Sequence, residues 1–434
     1  MKLAIHGGTP VRTRPFPRHK TIGLEEQEAV AKVLESGVLS KYLGCWHEDF
    51  MGGPEVRALE EEWSAHFGVK HAIAVNSCTS GLYAAVGAIG TEPGDEIIVT
   101  PYTMSATATA PLIYNAIPVF ADIEEDCFCL DPEAVEAQIT SRTKAIMVVD
   151  LFGQPYDADA INALAVKHGL YVIEDTAQAP GASYRGKAAG TLGHLGVYSL
   201  NYHKHIHCGE GGVVVTDDDQ LADRVRLIRN HAEAVVEAKG MTNLVNMIGF
   251  NFRMTEMEAA VARCQLRKLP ALLEKRWENC RYLAAGLADI PAIRPAVIRE
   301  GCEHAFYVQA CKFDGQVAGI SRDRFIEAVR AELPVFEGRE KEGVKIGCGY
   351  VRPLYLQPIF QKKIAYGTGG YPFVNQSGNN VSYEKGICPV CERMHEKELF
   401  THEMIVPSMD RPDLDEVLQA FVKVWENREA LGPV

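Results

Sequence analysis

Tyr198-Ser199-Leu200-Asn201-Tyr202-His203-Lys204, with Gly209-Glu210-Gly211-Gly212 close behind, is the stretch that decides how the chain is read. An amine set between a short apolar run and a glycine turn suits a Schiff base with a carbonyl cofactor. Burial favours the neutral amine by stripping water from the ammonium, which makes the lysine nucleophilic. Upstream, Tyr171-Val172-Ile173-Glu174-Asp175-Thr176-Ala177-Gln178 is an apolar run that ends abruptly in two acids. A carboxylate at the C-terminal end of a strand can pair with the pyridinium nitrogen of pyridoxal phosphate and keep that ring protonated as an electron sink. Lys204 and Asp175 together imply that cofactor.

The chain around these two residues is long enough for more than one core. At 434 residues it exceeds the ~250–300 residues beyond which single cores stop growing, so two domains are expected. With 47% hydrophobic and 23% charged residues it has an ordinary globular composition, which excludes disordered and fibrous classes. Acidic residues outnumber basic ones and give a net charge of −13. No lysine or arginine cluster forms a phosphate-tracking stripe, so nucleic acid is not an expected partner. The first ten residues lack the apolar stretch of a signal peptide, and no segment approaches ~20 uninterrupted apolar residues. No membrane partner is expected, and the cytoplasm is the expected compartment. Twelve cysteines spread through strands and helices read as reduced thiols rather than a disulfide framework. Cys388-Pro389-Val390-Cys391 has the spacing of half a zinc site, but no second such pair completes it. No metal is expected.

Short β-rich runs alternate with helical stretches from residue 72 onward: Ala72–Val75, Glu96–Val99, Pro118–Ala121, Ala145–Val149, Tyr171–Ile173, Leu195–Ser199 and Gly212–Val215. They are too apolar to alternate strictly, as strands covered on both faces are, and predict an α/β domain with a largely parallel sheet. Ligands of such sheets gather at the carboxyl ends of strands, where Asp175 and the turn after Val75 would lie. Helical spacing marks Leu24–Leu34 and Pro54–Phe67, and a long charged helix is predicted from Pro270 to Leu287. Residues 1–20 read as an extended arm, and the glycine-rich residues 336–387 as a long excursion before the terminal helices.

Asn76-Ser77-Cys78-Thr79-Ser80-Gly81-Leu82 follows the first of these strands and opens an alanine-rich helix, Tyr83 to Ala88. Small hydroxyl residues and unpartnered amides at a helix N-terminus form an anion site, and a phosphate fits there. An ordinary N-cap is the plainer reading of the same residues. Taken in order with Asp175 and Lys204, this turn resembles the sugar aminotransferases of the DegT/DnrJ/EryC1/StrS family. The resemblance extends through the arm Leu3-Ala4-Ile5-His6-Gly7-Gly8-Thr9-Pro10-Val11-Arg12, Pro93-Gly94-Asp95-Glu96-Ile97-Ile98, Phe152-Gly153-Gln154-Pro155 and Gly249-Phe250-Asn251-Phe252-Arg253-Met254-Thr255-Glu256.

The resemblance implies the type I fold of pyridoxal phosphate enzymes, with a large, mainly parallel-sheet domain and a smaller C-terminal α+β domain. Its boundaries would be an arm over 1–20, a large domain over 21–275 and a small domain over 276–434. It makes Lys204 the residue that bonds the cofactor and moves the substrate proton. Asp175 would hold the ring nitrogen and Gln178 would lie near the phenolic oxygen. Thr79, Ser80 and Ser199 would bind the phosphate. Asn251 would reach the phosphate of a neighbouring subunit, implying a homodimer with shared sites. An aromatic residue usually covers the ring in this family; here Met104 stands at that place, with Tyr102 the alternative.

His203, His205 and His207 would share a face on a strand and could then bind metal, but the family resemblance makes the segment a tight loop. Relatives that deoxygenate sugars carry histidine where Lys204 stands, so lysine here favours transamination over dehydration. Glu210 reads as a turn residue. His304 and the segment Tyr350-Val351-Arg352-Pro353-Leu354-Tyr355 fall in regions where related enzymes contact substrate or cover the site, although a surface arginine is the simpler reading of Arg352. The implied partners are an amino-acid donor, glutamate or glutamine, and a sugar carrying a carbonyl. Most relatives act on nucleotide-linked keto sugars, and others on keto cyclitols or sugar acids. The early Gly-Gly arm and the 336–387 excursion resemble the branch that aminates C8 of a 3,8-dideoxy-octulosonate for lipopolysaccharide.

Overall fold

Continuous apolar runs call for a sheet covered on both faces, and the chain builds one. The computed structural model describes residues 2–374 and 381–432. Its main sheet contains β1 (His71–Val75), β2 (Glu96–Val99), β3 (Ile117–Phe120), β4 (Thr143–Val149) and β5 (Tyr171–Asp175). After a short hairpin of β6 (Ser183–Tyr184) and β7 (Lys187–Ala188), it is completed by β8 (Leu195–Ser199) and β9 (Gly212–Thr216). The order is β1-β9-β8-β5-β4-β2-β3. Pairs from β8 through β5, β4 and β2 to β3 are parallel; β9 runs antiparallel to β8 and β1. Every residue of β2, β3, β8 and β9 is buried, which is why their sequences do not alternate.

Helices cover the sheet. Helix α1 spans Leu24–Ser36 and α2 spans Pro54–Phe67. The face α2 buries, Val56, Leu59, Trp63 and Phe67, has helical spacing, and Gly68 ends the helix at φ 65°, a left-handed stop natural to glycine. Helix α3 (Cys78–Ala88) starts earlier than the sequence suggests, directly after Ser77, and is almost wholly buried. It lies close on the sheet because Gly81 has no side chain: a Cβ there would stand 2.6 Å from Val197 Cγ1. Helix α4 (Ser105–Ile113) follows β2.

A second sheet is antiparallel and four-stranded. It joins β10 (Ile293–Pro295), β12 (Gln309–Phe313), β14 (Leu399–His402) and β13 (Ile346–Cys348) in that order, while β11 (Cys302–Glu303) pairs with β6. The long helix predicted from Pro270 in fact runs from Glu256 to Ala288. Thr255 and Glu258 close a capping box at its start, and that local motif outweighs the proline inside the helix. The expected 275/276 boundary therefore falls within one continuous helix. The arm is pinned rather than loose: Leu3 and Phe16 are buried in the core under the second sheet, and Arg12 Nη1 pairs with Asp413 at 2.6 Å. The 336–387 excursion first supplies β13 to the second sheet, and its later described residues fold back onto β3. Phe360 and Tyr383 pack on Phe120, and the Tyr383 hydroxyl donates to the Pro118 carbonyl at 2.8 Å. Residues 375–380 of that excursion lie outside the described residues. No described helix is long and apolar enough to cross a membrane.

One buried acid pair underlies the site. Glu174 accepts the Gly190 amide at 2.6 Å and the Leu192 amide at 3.0 Å. Asp150 Oδ1 accepts the Tyr156 amide at 3.1 Å, and the Glu174 carboxyl and the Thr176 hydroxyl also act on its side chain. Both side chains are fully buried, and burial raises both carboxyl pKa values. A proton held between Asp150 and Glu174 removes one buried charge. Because the folded-state pKa values are raised, the stability they contribute is complete below the ordinary carboxyl range and is lost as pH rises through the raised values. Urea unfolding midpoints should therefore fall between about pH 5 and about pH 8.5. Asp150→Asn, which places an amide N–H where the shared proton sits, should flatten that fall; an unchanged slope would show that the pair shares no proton.

Candidate active site

The carboxyl ends of the parallel strands bring the expected residues together. Asp175 ends β5 and is 4% exposed. Its Oδ2 accepts the Thr107 hydroxyl at 2.7 Å and its Oδ1 accepts the Ala177 amide at 3.2 Å. Burial pushes its pKa up, while these two donors and the positive charge of Lys204 act in the opposite direction. Such a carboxylate is most stable as an anion when a cation faces it directly. The Cys78 thiol at the start of α3 lies 4.0 Å from Oδ1.

The same helix start forms the anion cradle. Ser77 is the N-cap, its hydroxyl accepting the Ser80 amide at 3.0 Å, and the Ser80 hydroxyl donates to Asn76 Oδ1 at 2.6 Å. Among the described residues the amides of Cys78 and Thr79 and the Thr79 hydroxyl have no hydrogen-bond partner, so they remain for a ligand. Gly212 keeps the floor of the cradle open, because a Cβ there would lie 2.7 Å from the Cys78 nitrogen. Ser199 pairs with Gly212 across β8 and β9, and its hydroxyl accepts the Asn201 amide at 3.3 Å. Ser80 is thus tied into the cap, whereas Thr79 stays free. The backbone carbonyl of Asn251 accepts from Asn76 Nδ2 at 3.2 Å, and its exposed side chain accepts from Arg253 Nε at 2.8 Å.

Lys204 sits in the loop after β8, half-buried. Its Nζ lies 4.4 Å from the centroid of the Tyr307 ring, a contact the sequence did not reveal. Tyr307 is held by a heavily bonded segment: its amide donates to the Phe152 carbonyl at 2.8 Å, and its carbonyl accepts from Arg276 at 3.1 Å. Gln178 is 3% exposed; its Oε1 accepts the Phe152 amide at 2.8 Å and its Nε2 donates to the Tyr350 hydroxyl at 3.2 Å. Tyr350 opens the 350–355 segment that the family resemblance places at the site. Of the two ring-covering alternatives, Met104 is 63% exposed at the head of α4, whereas Tyr102 is fully buried. The Tyr102 hydroxyl accepts the Tyr350 amide at 2.7 Å, so that ring is walled in behind the site.

The three histidines do not share a face. His205 is buried, with Nε2 2.8 Å from the Ala305 carbonyl, while His203 is exposed and His207 half-buried. His304, expected near substrate, is structural instead: Nδ1 accepts the Phe306 amide at 2.8 Å, and burial lowers its pKa to about 3. Glu210 accepts from Asn201 Nδ2 at 3.0 Å, as a turn residue does. Arg352 is exposed, as a surface arginine is.

The donor set fits pyridoxal phosphate. A buried, acceptor-only Asp175 suits a protonated ring nitrogen, unpartnered helix amides suit a phosphate, and the Lys204 amine lies close enough to Asp175 to influence its charge. When bound, the cofactor supplies an electron sink for loss of a proton from the carbon next to nitrogen.

Comparison with known proteins agrees. The model of the DegT/DnrJ/EryC1/StrS aminotransferase family matches residues 20–398. The chain is 33% identical over 433 residues to an L-glutamine:2-deoxy-scyllo-inosose aminotransferase of Streptomyces paromomycinus, covering 97% of each. It is 32% identical to the spore coat polysaccharide biosynthesis protein SpsC of Bacillus subtilis, covering 92% of this chain and 94% of that protein. The structure of DesI in the presence of its TDP-sugar product superimposes with a TM-score of 0.79 at 27% identity, covering 99% of this chain and 97% of that one. Fold and site define a pyridoxal-phosphate-dependent aminotransferase. The chain belongs to the DegT/DnrJ/EryC1/StrS aminotransferase family, whose members act on sugars and cyclitols.

Thr107 tests the Asp175 geometry. Thr107→Val removes one donor from a buried carboxylate, a loss of about 1–3 kcal/mol, and should weaken cofactor binding by roughly tenfold in a fluorescence titration. Unchanged affinity would show that the Thr107 hydroxyl does not support Asp175 in the loaded site.

Proposed function

We propose that the chain transfers an amino group from glutamate or glutamine to a ketone or aldehyde carbon of a sugar, in the cytoplasm, as a homodimer with shared sites. The charge of Lys204 acting on Asp175 at the carboxyl end of the central strand carries this reading. In it Lys204 Nζ takes the proton from the donor's α-carbon and returns a proton in the second half of the cycle. Asp175 holds the proton on the ring nitrogen, and Thr79 and Ser199 with the first α3 amides anchor the phosphate. Gln178 and Met104 border the ring, and the exposed Asn251 supports a contribution to a neighbouring subunit. Orientation, not new chemistry, is what these side chains add.

The acceptor we place first is C8 of a 3,8-dideoxy-octulosonate, on the path to a lipopolysaccharide sugar. The long arm and the excursion that folds over β3 support it. A keto cyclitol is the second reading, favoured by the glutamine-dependent scyllo-inosose relative.

Incubating cofactor-loaded protein with 15N-labelled glutamate or glutamine and each candidate acceptor, followed by mass analysis, identifies donor and acceptor together. Label should appear in one acceptor. Lys204→Ala should reduce turnover by at least about 10²–10⁴-fold while still binding the pyridoxamine form of the cofactor. Wild-type turnover in that variant, or no label in any sugar or cyclitol, would refute the assignment.

A further inference from the structure

Lys204 has to occupy two states. While it holds the cofactor its Nζ is bonded to carbon; once a donor amine displaces it, the freed amine has to stay within reach, take the donor's α-proton and carry it as an ammonium. A flexible four-carbon stem with a strongly hydrated head does not stay in place unaided. Among the described residues Lys204 Nζ makes no hydrogen bond and no ion pair. What faces it is the ring of Tyr307, 4.4 Å from Nζ to centroid, inside the ~6 Å over which the negative face of an aromatic ring attracts a cation.

Several contacts fix that ring in place. Tyr307 lies between β11 and β12, with its amide donating to the Phe152 carbonyl at 2.8 Å and its carbonyl accepting from Arg276 Nη1 at 3.1 Å. Two residues earlier the Ala305 amide donates to the Gly153 carbonyl at 2.8 Å, and the Ala305 carbonyl accepts from His205 Nε2 at 2.8 Å. His205 is the residue after Lys204, so the loop that carries the amine is tied directly to the segment that carries the ring. Phe306, between these anchors, sits at φ 49°, a left-handed conformation that a bulky residue keeps only when its surroundings impose it. Gly153 makes the close approach possible, because a Cβ there would stand 2.7 Å from the Phe306 nitrogen. The Tyr307 hydroxyl has no hydrogen-bond partner among the described residues, and burial raises its pKa to about 12. At neutral pH it therefore offers Lys204 an uncharged ring face and not a phenolate.

We propose that Tyr307 is a further catalytic residue, whose ring face holds Lys204 Nζ whenever that atom is released from the cofactor and stabilises it as an ammonium once it has taken the α-proton. The proposal rests on the aminotransferase reading above. In the step concerned the α-carbon's C–H bond breaks, the proton goes to the Nζ lone pair, and the bonding electrons pass to the cofactor's electron sink. The ring then lies against an N–H cation instead of a neutral amine, and that difference favours proton removal. A Tyr307 that served only as a wall would act through its shape, and the electron density of its ring would not matter.

Variants that keep the ring and change its electrons test this. Tyr307→Phe is the reference, and replacing that phenylalanine with its mono-, di- and trifluoro forms withdraws electron density from the ring face with little change of shape. In the pyridoxal form, glutamate or glutamine should bleach the yellow absorbance more slowly with each added fluorine, by about 2- to 30-fold across the series. The α-deuterium isotope effect on that rate should grow as proton removal slows. A second readout needs no turnover. In protein loaded with the pyridoxamine form of the cofactor, which is not bonded to Lys204, the 13C-labelled Lys204 ε-methylene is assigned by its absence in Lys204→Ala. Its proton signals should lie upfield under the ring, and Tyr307→Leu should return them to the ordinary lysine position. The fluorinated series keeps the volume of the ring, so its result stands even where Tyr307→Leu does not fold. A bleaching rate that ignores the fluorines would overturn the proposal, as would an ordinary Lys204 signal beside an intact Tyr307. An upfield signal with flat rates removes the catalytic role alone, whereas a wild-type protein whose absorbance answers to no amino donor removes the aminotransferase reading with it.

Discussion

A carboxylate buried at the end of a central strand is the constraint on which the rest of the site depends. Asp175 has given up nearly all its water, and one hydroxyl and one backbone amide only partly replace it. The missing counter-charge has to come from a ligand that carries an N–H cation at that spot. A pyridinium meets the requirement, and once its nitrogen is fixed there the other contacts have little freedom of placement.

The sheet order supplies those contacts. Strand β8 lies beside β5 and leads into the Lys204 loop, while β9 and β1 follow outward. The phosphate cradle starts three strands from Asp175, at the end of β1, yet Cys78 lies within 4.0 Å of the carboxylate. Helix α3 closes that gap by leaning back across the sheet. It can do so because Gly81 gives way to Val197, Val214 and Val75 of the sheet and Ala84 and Ala85 beside it are small and fully buried. The small residues that look like a featureless helix in sequence are what bring phosphate and ring nitrogen into range of each other. The second sheet and the arm act from the other side, where Arg276 secures the Phe306–Tyr307 carbonyls and Tyr307 faces the lysine.

Much of this arrangement is legible in the amino-acid sequence. The seven main strands follow from apolar runs too continuous for a half-exposed sheet, and Asp175, Lys204 and the α3 turn stand in sequence beside the elements that position them. What is not legible is long-range. Thr107 reaches Asp175 across 68 residues and Gln178 reaches Tyr350 across 172, and nothing local to either partner signals the contact. Tyr102 and Met104 are two residues apart, and only packing shows that the first is sealed behind Tyr350 while the second faces outward. The early start of the long helix is a different case. Thr255 and Glu258 form a capping box readable in sequence, while Pro270 gives a competing signal, because proline is far more common in the first turn of a helix than in its interior.

The central claim is that Asp175 keeps a pyridine nitrogen protonated opposite Lys204. Nuclear magnetic resonance of the protein loaded with pyridoxal phosphate labelled with 15N in the ring reports that proton directly. A chemical shift typical of a protonated nitrogen in the wild-type protein, moving to the neutral position in Asp175→Asn, is the predicted result. A neutral ring nitrogen in the wild-type protein, or a shift that ignores the substitution, would contradict the account.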